Sequence, residues 1–184
     1  MKYFLTLILI SSHLIASKYK NLNLQSGDLI FRKEDGILSN LFSKIDNSDY
    51  SHIGIILIKN QKIFVYHMER TDSTKDLKKV LLKKFLLNME KVKFLRIKKH
   101  ISYNKLESIL SNYEKDNPSF DMEFDLNNGE KNLYCTEFVN EVFYKLTNKN
   151  IYSYLYSNFK TKGISIKSIL ENKNLFTEIG EIKI

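Results

Sequence analysis

Ser51-His52-Ile53-Gly54-Ile55-Ile56-Leu57-Ile58 is followed directly by Lys59-Asn60-Gln61-Lys62 and then by Ile63-Phe64-Val65-Tyr66-His67-Met68. Two runs rich in β-branched and aromatic residues flank four polar residues, which is the pattern of a β-hairpin. Side chains alternate across a strand, so His52, Gly54, Ile56 and Ile58 share one face of the first arm. On the returning arm Val65, His67 and Glu69 share a face, opposite Phe64, Tyr66 and Met68. With the turn at 59–62, position 52 lies opposite 69, and His67 is its diagonal neighbour. Gly54 leaves the face beside His52 without a side chain, so a substrate or another backbone can come close there.

Upstream, Gly27-Asp28-Leu29-Ile30-Phe31-Arg32 reads as a turn into a strand. Ile37, Leu38, Leu41, Phe42 and Ile45 recur at helical spacing, and Asp46-Asn47-Ser48-Asp49 is a loop. Downstream, Thr74 is placed to cap a helix reaching about Met89, and Val92 to Ile97 is a strand. Asn104 is expected to cap a helix running to Asp116. A loop containing Pro118 and Gly129 leads to a helix from Cys135 to Leu146, whose Phe138, Val139, Val142, Phe143 and Leu146 form one apolar stripe. Ser165 caps a last short helix, and Leu175 to Ile179 closes as a strand. Mixed helices and antiparallel-looking strands predict an α+β fold.

The chain has 184 residues, 43% of them hydrophobic and 27% charged, which is enough for a core and excludes a disordered polymer. Nothing recurs at a fixed period. The single proline and the lack of a Gly/Ser-rich linker indicate one domain from residue 18 to 184. The formal charge of +8 is almost all lysine, with arginine only at positions 32, 70 and 96. These lysines scatter along every element, and the densest run, Lys75 to Lys84, takes helical spacing on a solvated face. Nucleic-acid readers concentrate arginine and aromatics on one surface, so no nucleic-acid partner is expected.

Met1-Lys2, an apolar run from Tyr3 to Ile10 and the small-residue end Ile15-Ala16-Ser17 match a secretory signal over residues 1–17. The apolar run falls short of the roughly 20 residues a membrane span takes, so no stable span is expected after signal cleavage. No cysteine sits at the cleavage position, which excludes a lipoprotein. An exported protein of the periplasm or cell envelope is the expectation, with an uncleaved anchor or a buried first helix as the alternative. A lone cysteine is unusual in an oxidising compartment, and it excludes an internal disulfide.

That cysteine, Cys135, stands at the expected start of a helix. Unpaired amides and the helix dipole there favour a thiolate, the nucleophilic form. Packing as a small apolar residue is the alternative. His52 is the candidate general base. His67 or Glu69 is the candidate third member, able to bond the second imidazole nitrogen and fix the tautomer.

Gly27-Asp28-Leu29-Ile30-Phe31, Ser51-His52-Ile53-Gly54-Ile55, Val65-Tyr66-His67 and Tyr134-Cys135-Thr136-Glu137-Phe138-Val139, in that order, resemble the YiiX/YebB-like group of circularly permuted papain-like (NlpC-type) cysteine hydrolases. The resemblance covers residues 25 to 145, with a compatible tail from Ile164, and extends to Phe120-Asp121-Met122-Glu123-Phe124-Asp125, which has no evident catalytic role. It implies an antiparallel sheet or small barrel packed on helices, with histidine and the polar third residue ahead of the nucleophile. Carried over, Cys135 is the nucleophile and His52 the base. The third residue aligns best with His67, where many relatives carry glutamate, which keeps Glu69 as the alternative.

The implied reaction is acyl transfer from an amide or ester, with an oxyanion site drawing on the Cys135 amide and with no metal or cofactor. A peptide, amide or other acyl substrate is implied, and a peptidoglycan-derived peptide suits an envelope location. A lipid-directed acyltransferase of the same fold is a further alternative. Two other classes compete: a non-enzymatic envelope binding protein, and a metal module using His52, His67, Glu69 and Cys135, although no close ligand pair such as CxxC is present.

Overall fold

The computed structural model describes residues 19, 21–34, 43–44, 46–70, 76–127, 129–158 and 161–183. The signal segment at 1–17, the cap at Thr74 and the apolar set Ile37, Leu38, Leu41, Phe42 and Ile45 lie outside the described residues.

The hairpin forms with the expected register. Strand β2 (His52–Lys59) pairs antiparallel with β3 (Lys62–Met68), and the ladder runs from Ile55↔Tyr66 to Lys59↔Lys62. The turn shrinks to Asn60 and Gln61, both left-handed at φ 50° and 60°, the type I′ geometry whose twist matches a two-residue hairpin. Strand β1 (Leu29–Glu34) pairs with the other edge of β2, setting Arg32 opposite His52. Strand β4 (Leu77–Leu81) adds to β3, and β5 (Met89–Ile97) and β10 (Phe176–Lys183) extend the far side. The result is an open six-stranded antiparallel sheet of order β10-β5-β1-β2-β3-β4 rather than a small barrel.

The helix expected from Thr74 to Met89 is a strand followed by one turn, α1 (Leu82–Phe85). Lysine and leucine favour helix only by tenths of a kcal/mol, about 0.5 or less per residue, and the exposed ladder of β3 overrides them. Lys78 pairs with His67 and Val80 with Val65, while Lys79 reaches Glu114 at 3.1 Å. Helix α2 (Tyr103–Asp116) is capped by Ser102, whose hydroxyl accepts from the Lys105 amide, rather than by Asn104. Two-residue strands β6 (Ser119–Phe120) and β7 (Asn132–Leu133) pair in parallel and lead into α3 (Cys135–Thr147). The hairpin β8 (Tyr156–Asn158) and β9 (Thr161–Gly163) and helix α4 (Ile166–Leu170), capped by Ser165 as expected, precede β10.

Each sheet face carries its own core. Leu29, Phe31, Ile53, Ile55, Leu57, Tyr66 and Met68 pack against Leu106 and Leu110 of α2 and Phe138, Val139, Val142 and Phe143 of α3. Ile30, Ile56, Val65, Val92 and Phe94, on the reverse face, pack against Leu82, Phe85 and Leu86. The parity of β2 therefore assigns His52 and Gly54 to the reverse face.

Gly54 is there because of the neighbouring strand. A Cβ at this position would lie 2.6 Å from Val65 Cγ1 and 3.0 Å from the Tyr66 carbonyl. The close approach anticipated at Gly54 is thus made by β3. Gly54→Ala should cost about 1–3 kcal/mol through overpacking. Thermal unfolding measures this, and an unchanged midpoint would show that β3 yields freely.

Candidate active site

His52 is the first residue of β2 and His67 lies near the end of β3, so the two rings meet where the hairpin opens. His52 Nε2 lies 2.8 Å from His67 Nδ1, one shared N–H between two uncharged rings. The rings stand edge to face at 5.0 Å. Phe85 covers them, its centroid 4.9 Å from His67 and 6.0 Å from His52. Both histidines are buried, at 8% and 1% exposure.

Burial, then the Arg32 cation and then His67, hold the His52 pKa well below its usual value. His67 is pushed down to about 3 by burial, then by Arg32 and Lys78. Unfolded, each ring takes up a proton near pH 6.5, whereas the folded rings stay neutral well below that. Stability from this source is complete above pH 6.5 and is lost as pH falls, by about 2 kcal/mol at pH 5 for His67 alone. His52 acts in the same direction. Denaturant titrations at pH 7.5 and 5 should show this decline, and a smaller one in His67→Asn. Equal decline in both would contradict it.

Glu69 does not join the imidazoles. Its Oε1 accepts from Arg32 Nη2 at 3.0 Å. The Arg32 guanidinium also donates to the Phe85 carbonyl at 3.1 Å and lies 4.1 Å over the Phe85 ring.

Cys135 is the first residue of α3 and is half-buried against the helix-side core. The entry to α3 is held from several sides. Thr136 Oγ1 donates to the Ile164 carbonyl at 2.6 Å, and the Ile164 amide donates to the Tyr134 hydroxyl at 2.7 Å. Glu137 Oε2 accepts from the Tyr134 amide at 3.4 Å, reaching back from the third helical position. Burial, with Asp121, Glu141 and Asp125 nearby, raises the Glu137 pKa to about 8 against the opposing Tyr134 bond. Its carboxyl is thus mostly protonated at neutral pH and brings little negative charge to the helix start.

The Phe120–Asp125 stretch has a structural role. The buried Asp121 carboxylate accepts from the amides of Glu123 and Asp125 at 2.8 and 2.7 Å. This loop also fixes the place of Cys135 along the sheet. The Asp121 amide donates to the Leu133 carbonyl, the Phe120 amide to Asp76, and the Glu69 amide to the Asp76 carbonyl. Cys135, two residues after Leu133, therefore opens α3 at the hairpin end that carries His52, His67 and Glu69. The helix lies on one sheet face and the imidazole pair on the other, with the start of β2 between them.

Arg32, Phe85 and Glu137 were not picked out by sequence reasoning. Glu137 had a signal, its position three residues after Tyr134 at a helix start. Arg32 shared the parity of Ile30 on β1, but nothing local marked its neighbours. Among the described residues no three His, Cys, Asp or Glu side chains are arranged to hold a metal ion, and no helix is long and apolar enough to cross a membrane.

A helix opening on cysteine, preceded in the chain by a sheet hairpin bearing paired histidines, defines the papain-like arrangement in permuted order. The model of the permuted papain-like amidase enzymes, YaeF/YiiX, C92 family, matches residues 23–173, and the chain belongs to that family. It is accordingly a thiol-dependent hydrolase of the amidase kind. The fold is also that of a solved structure described as the metalloprotein yiiX from Escherichia coli O157:H7. That protein is 19% identical, with a TM-score of 0.70 over 87% of this chain and 98% of the other. A search of curated proteins returned no match.

Proposed function

We propose that Cys135 is the nucleophile, His52 the general base and acid, and His67 the residue that orients His52. The observation that carries this reading is the 2.8 Å bond between His52 Nε2 and His67 Nδ1. With its Nε2–H donated to His67, His52 keeps a lone pair on Nδ1, the nitrogen directed away from His67. This reading requires the Cys135 thiol to reach that nitrogen past the start of β2, of which His52 is the first residue. The Glu69 carboxylate is engaged by Arg32, which favours His67 as the orienting residue.

The Cys135 sulfur attacks an amide carbonyl as His52 takes up the thiol proton, the helix-start amides receive the developing oxyanion, and His52 passes the proton to the departing amine. Water then releases the acyl group. The substrate class is a peptide amide, and the signal-like residues 1–17 favour an exported enzyme acting on peptidoglycan-derived peptides in the envelope. Release of new amino groups from isolated peptidoglycan tests this, with Cys135→Ser as the blank. Equal release by wild type and Cys135→Ser would overturn it. Mass spectrometry of the envelope fraction should find a mature chain beginning near Ser17, and absence of the protein from that fraction would refute export.

The description of the neighbouring structure as a metalloprotein raises a metal-site reading for His52, His67, Glu69 and Cys135. The bonds already described weigh against it, because the histidines spend facing nitrogens on each other and Glu69 neutralises Arg32. Elemental analysis of the purified protein separates the two readings, a stoichiometric metal favouring the second.

A further inference from the structure

Arg32 and Glu69 take no part in the chemistry proposed above, yet they are built tightly against its base. Arg32 stands opposite His52 in the β1–β2 register, its side chain only 7% exposed. Its guanidinium engages three separate things, the Glu69 carboxylate, the Phe85 carbonyl and the face of the Phe85 ring. Phe85 is in turn the ring that touches both imidazoles. A buried cation bonded in this fork geometry is demanding to place, and a lysine could not reproduce it.

We infer that Arg32, with Glu69 as its counter-ion, is a positioning residue for the histidine pair, clamping Phe85 over the two rings and fixing a cation beside them. The charged groups facing the pair are Arg32 from β1, Glu69 beyond β3 and Lys78 of β4, which pairs with His67. Lys83 and Lys84 of α1 are exposed to solvent. Burial and the Arg32 cation lower the proton affinity of both rings in the same direction.

The catalytic consequence rests on the reading of His52 as base. A cation held beside that base opposes a preformed thiolate–imidazolium pair. The S–H proton passes to His52 Nδ1 as the S–C bond forms and the carbonyl π electrons move to oxygen. The same proton then goes to the departing nitrogen as the C–N bond breaks, so proton and charge balance within the step.

Histidine Cε1–H titrations by NMR on the full chain test the inference without any substrate. Wild type should show two rings that remain neutral below pH 5. Arg32→Met removes the cation and leaves Glu69 beside the rings, so their midpoints should rise by about 1–3 pH units. Glu69→Gln leaves the cation unopposed, and its midpoints should stay low or fall further. Arg32→Lys should keep them low while disturbing the ring shifts of Phe85. A merely structural role would move the Arg32 and Glu69 variants in the same direction. Unchanged midpoints in Arg32→Met, or parallel shifts in both variants, would overturn the inference. Should Arg32→Met not fold, Arg32→Lys and Glu69→Gln carry the same test, and a raised midpoint in either would overturn it. Shifts in the stated directions without any effect on Cys135 acylation would uphold the role of Arg32 and remove His52 as the base.

Discussion

His52→Ala should slow hydrolysis of an amide or ester substrate by about 10²–10⁴-fold, the range lost with a positioned general acid–base group. The loss should fall mainly in kcat, because the imidazole moves a proton and does not bind the acyl chain. His67→Ala should cost less, since it removes the orienting bond and leaves His52 in place. His67→Asn should recover part of that loss, because its side-chain carbonyl can accept the N–H of His52. The order His52→Ala, His67→Ala, His67→Asn, from slowest to fastest, is the specific expectation for steady-state rates. Glu69→Ala more damaging than His67→Ala would instead point to the glutamate as the third member.

Phe138→Ala should destabilise the protein by about 3–5 kcal/mol, the cost of emptying a fully enclosed aromatic site. Phe138 is inaccessible to solvent and meets Tyr113 of α2 edge to face at 5.4 Å. It lies one turn into α3, so it ties the helix that carries Cys135 to both α2 and the β2 face. Equilibrium denaturation measures the change. A loss below about 1 kcal/mol would mean that α3 closes onto the space, contrary to the fixed packing described.

The hairpin and α3 were legible because their signals are local. Alternation in Ser51 to Met68 and the stripe from Phe138 to Leu146 each report a burial pattern that tertiary structure preserves. The register placing 52 opposite 69 followed from the turn, and the two-residue I′ loop keeps that register. Residues 77–81 were misread because their lysines and leucines carry a weak helical preference, while the ladder they join belongs to a strand earlier in the chain. Arg32 illustrates the limit at the site. Its partners Glu69 and Phe85 lie 37 and 53 positions away, and only the folded sheet brings them to its guanidinium. The resemblance favoured His67 over Glu69 as third residue, but the engagement of Glu69 by Arg32 was closed to sequence, because it needs the folded sheet.

The most direct test of the central claim is to trap the acyl-enzyme. Purified protein is mixed with p-nitrophenyl acetate, quenched, digested and analysed by mass spectrometry for the acetylated residue. The account predicts a thioester on Cys135 that forms at least about 100-fold more slowly in His52→Ala. Acetylation of Cys135 at the same rate with and without the His52 imidazole, or of lysines alone, would contradict it.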